Sequence, residues 1–208
     1  MKSSSICCGG RSLALVALLA ALVAGGACAG GATPRTIEDL TNPFLGPEHS
    51  QWLIGAVARL ASPEEVRGYL ALRDDAAAGA FIRDFWARRD SNPAAPGNAL
   101  LAAFEARSAD ADRLYSEAGV VGRRTARGTV HVLYGRPSNI DFEVSPNPDD
   151  GPIELWLYAE GSPAGLDART PSRFYRFIRR GDLTVPYTPR ERDPRFSRDP
   201  TRQPTPPR

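Results

Sequence analysis

The first half of the chain carries apolar side chains at helical spacing. In residues 52–60 and 78–86 they recur three or four positions apart, which predicts amphipathic helices. The Ser-Pro-Glu-Glu sequence at 62–65 has the capping serine, the proline and the glutamate that are typical of a helix start. Asn98 predicts the start of a further, long helix that ends near Gly119. The pattern therefore predicts a helical N-terminal half.

The second half changes to short segments rich in β-branched and aromatic residues. Residues 129–134, 153–158 and 173–178 fit this description and predict strands. Residues 183–187 predict an additional edge strand, which Pro186 limits in length. Because the helices precede the strands, we expect an α+β fold in which N-terminal helices pack on a small antiparallel β-meander of three to four strands.

The most apolar part of the chain lies near its start. Residues 1–11 carry two basic and no acidic residues, and a 13-residue apolar run follows at 12–24. This run is shorter than the ~20 residues that a transmembrane helix needs. A basic region, a short apolar run and small residues before the cleavage point are typical of a secretory signal peptide. The sequence predicts a signal peptide at 1–27 and export of the protein.

The small residues that end the signal peptide lead directly to Cys28. They resemble a bacterial lipobox, in which the cysteine is lipidated, although Gly25 stands where that pattern usually has leucine. The alternative is ordinary cleavage after Ala29. Ala29 in place of aspartate favours the outer membrane, so we expect an outer-membrane lipoprotein facing the periplasm, attached through Cys28. A periplasmic or secreted protein is the alternative.

The rest of the chain divides into three parts by composition. Residues 28–47 are small, polar and proline-bearing, which predicts a tether. Residues 48–185 form the predicted α+β domain. Residues 186–208 are rich in proline and arginine with a net charge of +3, which predicts a disordered tail.

Charge adds little about function. The chain has 26 basic and 24 acidic residues, and Lys2 is its one lysine. Residues 1–27 hold two basic and no acidic residues, so their removal leaves 24 of each. Such a strong use of arginine over lysine is typical of a GC-rich genome and is not evidence for nucleic-acid binding. We expect no nucleic-acid partner.

Residues 81–137 resemble the GWxTD-domain proteins, a family of exported bacterial proteins with no established reaction. Members usually show a helix ending in FW-x-x-RD, then a G-W-x-T-D-R-G turn, and then Y-G-x-P. The sequence FIRDFWARRD at 81–90 and the sequence GRRTARGTVHVLYGRP at 122–137 carry the likeness. Arg123 and Ala126 stand where the family has tryptophan and aspartate. The matching positions are Trp86, Arg89, Asp90, Gly122, Thr125, Arg127, Gly128, Tyr134, Gly135 and Pro137.

The motif residues have a physical interpretation as a turn. Gly122 and Gly128 can adopt backbone angles that other residues resist, which predicts a tight helix-to-strand turn between them. Thr125 can hydrogen-bond to local backbone inside that turn. Arg127 is the candidate binding side chain, or it pairs with an acid such as Asp90.

Signals for catalysis are weak. The chain lacks G-x-S-x-G and H-E-x-x-H, and it has no candidate nucleophilic cysteine. We therefore expect no catalytic residue, no cofactor and no metal. The alternative is an envelope hydrolase that uses His131, on a predicted strand, with an acid such as Asp141 or Glu143 from the segment 141–150.

A basic cluster in the motif is the remaining chemical signal. Arg123, Arg124 and Arg127 lie beside glycines and could bind a phosphate or carboxylate, although arginine clusters also arise from the composition. The main functional hypothesis is a non-enzymatic envelope protein, held at the membrane by its lipid anchor, whose domain binds or scaffolds another envelope protein.

Overall fold

The computed structural model describes residues 38–147 and 149–188, which belong to one compact unit. Five α-helices are followed by four β-strands, with two short 3-10 helices among the helices. The helices are α1 (Val57–Leu60), α2 (Pro63–Leu70), α3 (Asp75–Ala87), α4 (Ala99–Tyr115) and α5 (Ala126–Tyr134). The strands are β1 (Asn139–Glu143), β2 (Ile153–Leu157), β3 (Phe174–Arg180) and β4 (Leu183–Pro186). The 3-10 helices are Glu38–Leu40 and Gly122–Arg124.

The predicted helix starts are confirmed by their caps. Glu65 N donates to Ser62 Oγ at 3.2 Å and Ser62 N donates to Glu65 Oε2 at 2.9 Å, which completes a capping box on α2. Asp74 caps α3 by accepting a hydrogen bond from Ala77 N, and Asn98 caps α4 by accepting one from Leu101 N. The helix α4 ends at Tyr115.

The helix predicted at 52–60 is shorter than expected. Residues 47–56 form consecutive turns, and only Val57–Leu60 is α-helical. Gly55, at a φ of +93°, interrupts the helical backbone, and a Cβ there would lie 2.5 Å from Arg123 O. The close approach of this segment to the motif therefore overrides the helical pattern of its apolar residues.

Aromatic side chains fill the core between the first four helices. Trp52 lies 4.8 Å from Tyr69 and 5.0 Å from Phe85, measured between ring centroids. Trp86 contacts Phe85 at 5.1 Å and Phe104 on α4 at 4.8 Å between ring centroids. Because offset and edge-to-face contacts stabilise such pairs beyond their burial, this cluster holds α2, α3 and α4 together.

The folded domain begins before residue 48, so the tether predicted at 28–47 is wrong over its second part. Leu40 and Leu45 are buried, and Asn42 Nδ2 donates to Tyr69 O at 2.9 Å and to Leu72 O at 3.1 Å. Asn42 thus caps the end of α2, and the two leucines pack against the aromatic core. Residues 28–37 lie outside the described residues, as does the predicted signal peptide.

The prediction of a strand at 129–134 is wrong, since these residues belong to helix α5. The buried residues of α5 include Gly128, His131 and Val132, which recur at helical spacing. Packing of this face on α4 and the sheet overrides the β propensity of Thr129 and Val130. The four-stranded sheet instead gains β1, a strand that the sequence interpretation missed.

The four strands form an antiparallel meander in chain order, β1-β2-β3-β4. The predicted strands at 153–158, 173–178 and 183–187 are confirmed. Trp156 and Phe177 lie on the face that meets the helices, where Trp156 packs against Tyr115 of α4 at 5.3 Å between ring centroids. The expected α+β class, with helices packed on an antiparallel meander, is confirmed.

The C-terminal boundary also shifts slightly. Pro186 is the last residue of β4, and Tyr187 N donates to Arg176 O at 2.8 Å, so the first residues of the predicted tail extend the sheet. The remainder of that tail, from residue 189, lies outside the described residues. Within the two described ranges, no helix combines the length and the apolar character required to cross a membrane.

Candidate functional site

The motif segment 122–128 connects α4 to α5, and not a helix to a strand as expected. Thr125 is the N-cap of α5: its Oγ1 accepts a hydrogen bond from Gly128 N at 3.1 Å and donates one to Gly122 O at 2.8 Å. The predicted bonding of Thr125 to local backbone is thus confirmed, and its effect is to start α5.

Gly122 and Gly128 are required by close packing, which corrects the prediction of unusual backbone angles. Neither residue has a positive φ. A Cβ at Gly128 would lie 1.7 Å from Gly122 O, and a Cβ at Gly122 would lie 1.9 Å from Ala111 O. The loop therefore contacts α4 and the start of α5 backbone to backbone, at distances that leave no room for a side chain.

Tyr134, Gly135 and Pro137 join the end of α5 to the sheet. Gly135 ends the helix at a φ of +78°, and its carbonyl accepts a hydrogen bond from Tyr158 Oη at 2.8 Å. Tyr134 Oη donates to Asp167 Oδ2 at 2.9 Å, and burial raises the pKa of the Tyr134 phenol. Pro137 lies in the short link before β1. This group holds the helix against the sheet.

Trp86, Arg89 and Asp90 lie at the end of α3, apart from the motif loop. Arg89 Nη2 lies 2.6 Å from Glu65 Oε2, and its guanidinium stacks 3.6 Å from the centroid of the Phe85 ring. The hydrogen bond from Arg89 lowers the pKa of Glu65 to about 2, against the opposing effect of burial. Trp86 and Asp90 also line an open groove of about 380 Å³ between α3 and α4. This part of the signature stabilises the helical core.

Arg127 ties α5 to the sheet through two carboxylates. Its Nη2 lies 2.8 Å from Glu117 Oε2 and its Nη1 lies 3.2 Å from Glu154 Oε2. Glu117 also accepts hydrogen bonds from the N–H and Oγ1 of Thr184 on β4, at 2.9 and 2.8 Å. Arg127 thus pairs with acids, as one of the two alternatives expected, but its partners are Glu117 and Glu154 and not Asp90. We call Arg127, Glu117, Glu154 and Thr184 the arginine network.

The arginine network is satisfied largely from within the protein. Trp156 Nε1 donates to Glu154 Oε1 at 2.7 Å. Arg127 Nε is buried and has no partner among the described residues. The side chains of Arg127, Glu117 and Glu154 are only 22, 10 and 17% exposed. A ligand would have to displace one of these carboxylates, so the network acts as a structural tie.

His131 is buried on α5 and does not meet the acids expected for it. Its Nε2 lies 3.0 Å from Asp110 Oδ2 on α4, whereas Asp141 and Glu143 lie on β1. Burial lowers the pKa of the imidazole, and Asp110 partly opposes that effect. Within the described ranges His131 Nδ1 has no hydrogen-bond partner, so no serine or threonine hydroxyl lies in the position of an activated nucleophile.

The remaining two arginines of the motif face a cavity. Arg123 donates to Asp112 Oδ2 from both Nε at 2.8 Å and Nη2 at 2.5 Å. Arg124 Nη1 donates to Gln51 Oε1 at 2.5 Å. Both arginines line a cavity of about 150 Å³ together with Ser108 of α4. The predicted arginine cluster is thus divided, with Arg127 turned towards the sheet and the other two towards this cavity.

Several of these partners were missed by sequence reasoning. Glu117, Glu154, Asp110 and Ser108 reach the motif only through the packing of α4, α5 and the sheet, and no local pattern marks them. The strand β1 did have a signal, since polar and apolar residues alternate strictly from 139 to 144.

No family model, no curated protein and no solved structure matches the chain. Among the described residues, no group of three or more histidine, cysteine, aspartate or glutamate side chains is placed to hold a metal ion.

Proposed function

We propose that the protein is an exported, lipid-anchored bacterial envelope protein whose GWxTD-like domain binds another protein and catalyses no reaction. Export and the anchor at Cys28 are supported by the sequence of residues 1–29, which lie outside the described residues. Protein binding is supported by a surface on the sheet.

The single observation that supports protein binding is an exposed apolar row along edge strand β1 and the residue that follows it. Ile140, Phe142 and Val144 are 44, 64 and 93% exposed. Ile140 pairs with Trp156 and Phe142 with Glu154. Paired residues share a face, so the row lies on the same face as Trp156, which the helices cover at β2 but leave exposed at β1. An edge strand with uncovered apolar residues is a template for an added strand. We call these three residues the β1 row.

The partner that fits this edge is an extended segment of another protein with alternating apolar and basic side chains. Asp141 and Glu143 lie on the face of β1 opposite the β1 row. If two copies paired antiparallel over the whole of β1, Asp141 would lie opposite its own copy, and directly opposed like charges destabilise a sheet. A basic residue of the partner opposite Asp141 would instead stabilise the added strand by ~0.2–1 kcal/mol.

A photo-crosslinking side chain in place of Phe142 is expected to give one discrete adduct in cells. The matched control is the same side chain in place of Leu183, which is 38% exposed on β4 at the other edge of the sheet. Mass spectrometry of the Phe142 adduct should identify an extended partner segment with basic residues at alternate positions. Asp141→Lys should reduce the yield several-fold, because it reverses the charge that faces that segment.

Three results would contradict this proposal. Equal adducts from positions 142 and 183 would indicate unspecific contact. An adduct made of two copies of this chain would show self-association in place of a partner. An unchanged yield with Asp141→Lys would show that Asp141 does not face basic residues of the partner.

The membrane anchor has its own test. Cys28→Ser is expected to abolish incorporation of a labelled fatty acid and to move the protein from the membrane fraction to the soluble fraction, because the acyl chains supply the membrane affinity. Cys7→Ser is the matched control and should leave both properties unchanged, since Cys7 precedes the apolar run of the signal peptide. Persistence of the label in Cys28→Ser would exclude Cys28 as the attachment site.

A further inference from the structure

The cavity beside the motif is lined by one buried polar side chain, that of Ser108, and by several more exposed ones, among them Arg124. Ser108 is fully buried, and its Oγ has no hydrogen-bond partner among the described residues. Arg124 is partly exposed. The carbonyl of its neighbour Arg123 packs against the turn at Gly55. A buried hydroxyl without a partner costs about 1–3 kcal/mol, so a ligand group that hydrogen-bonds to Ser108 Oγ would recover that cost.

The wall between these two polar groups is mainly apolar. It is formed by Trp52, Ile54, Val57, Phe104 and Val132, from the segment before α1, from α1 itself, and from α4 and α5. The volume of about 150 Å³ is close to that of an engineered apolar cavity known to bind benzene. The cavity therefore has room for a compact apolar body about the size of one six-membered ring.

The charge at the mouth favours a monoanion. Asp112 binds Arg123 directly, whereas the guanidinium of Arg124 donates to the neutral Gln51. Burial lowers the pKa of the Arg124 guanidinium, Arg123 adds to this, and Asp112 opposes it only in part. Glu48 stands at the exposed rim of the cavity and disfavours a dianion such as phosphate. A single carboxylate matches both the charge and the planar donors of Arg124.

We propose that this cavity binds a small monocarboxylate with a ring-sized apolar body and a hydroxyl at its inner end. The carboxylate pairs with Arg124 and Gln51, the body fills the apolar wall, and the inner hydroxyl pairs with Ser108 Oγ. This site shares no residue with the β1 row, so its test is separate from the test of the proposed function.

The test uses benzoate, 4-hydroxybenzoate and benzyl alcohol as probes, with affinity measured by calorimetry on the full mature chain. 4-Hydroxybenzoate is expected to bind with a dissociation constant of about 1 mM or lower, typical of a ligand of this size. Arg124→Gln should weaken the binding of both carboxylates about tenfold, because it removes a charge-assisted hydrogen bond. The affinity for benzyl alcohol should not change. Arg83→Gln, on the exposed face of α3, is the matched control and should change nothing.

The hydroxyl of Ser108 is tested by the difference between the two carboxylates. In the natural protein 4-hydroxybenzoate should bind more tightly than benzoate, and Ser108→Ala should remove that difference while benzoate binds as before. Amide chemical shifts of Ser108 and Val132 should move with ligand, and those of β1 should not. Three outcomes would overturn the proposal: no binding by any probe, equal effects of Arg124→Gln and Arg83→Gln, or a preference for 4-hydroxybenzoate that survives Ser108→Ala.

Discussion

Gly128→Ala is expected to lower the free energy of unfolding by about 3 kcal/mol or more. The new Cβ would lie 1.7 Å from the oxygen and 2.6 Å from the carbon of the Gly122 carbonyl. Both atoms belong to backbone, so no side-chain rotation can relieve the contact. The turn would have to move away from α5, and the Thr125 cap would be lost with it. Urea denaturation followed by tryptophan fluorescence measures the effect.

Gly151→Ala is the matched control for that experiment. Gly151 lies in a loop, its Cβ would meet nothing within 4 Å, and its φ is not positive. Its substitution is expected to change the free energy of unfolding by less than about 0.5 kcal/mol, or to raise it slightly by restricting the unfolded chain. Equal stability of the two variants would show that the motif loop does not pack as closely as described.

Arg127→Met is expected to lower the free energy of unfolding by about 2–3 kcal/mol. Removal of one partner of a buried ion pair leaves the other charge uncompensated, and this costs about 3–5 kcal/mol when burial is complete. The side chain of Arg127 is 22% exposed, which places the effect below that range. Glu117 and Glu154 would then face each other without the cation that they share. The same denaturation measurement applies.

Two further variants separate the arginine network from a general loss of charge. Arg67→Met removes an arginine whose pair with Glu64 is 70 and 73% exposed, and it should cost less than about 0.5 kcal/mol. The double variant Arg127→Met with Glu117→Gln should recover part of the loss, because the uncompensated carboxylate is gone. Additive effects of the two substitutions would mean that the contact between Arg127 and Glu117 contributes nothing.

The helical half of the fold could be predicted from local signals because its helices begin at side chains that cap them. Ser62, Asp74 and Asn98 are each followed by the backbone N–H that they bind. The error at 129–134 has a different origin. Thr129, Val130 and Val132 favour strands intrinsically, and only the burial of one helical face against α4 and the sheet reverses that preference.

The candidate site could be located from the sequence but its chemistry could not. The glycines, the threonine and the arginines of segment 122–128 stand out locally. The partner of Arg124, however, is Gln51, which lies 73 residues away in the chain. Ser108 is an ordinary polar residue in a helix until packing removes its contact with water. Such partners depend on tertiary geometry, for which a single sequence has no periodic signal.

The order of the strands in the sheet has a consequence for the path of folding. Each strand pairs with its neighbour in the chain, and the aromatic core is complete within residues 40–104. The pairing of strands is therefore local in the sequence, and local contacts favour fast folding. The bonds between Glu117 and Thr184 and between Arg124 and Gln51 join residues 67 and 73 positions apart, and they need the closure of long loops. A chain that folds from its N-terminus onward can therefore assemble its helical half before the last strand joins the sheet.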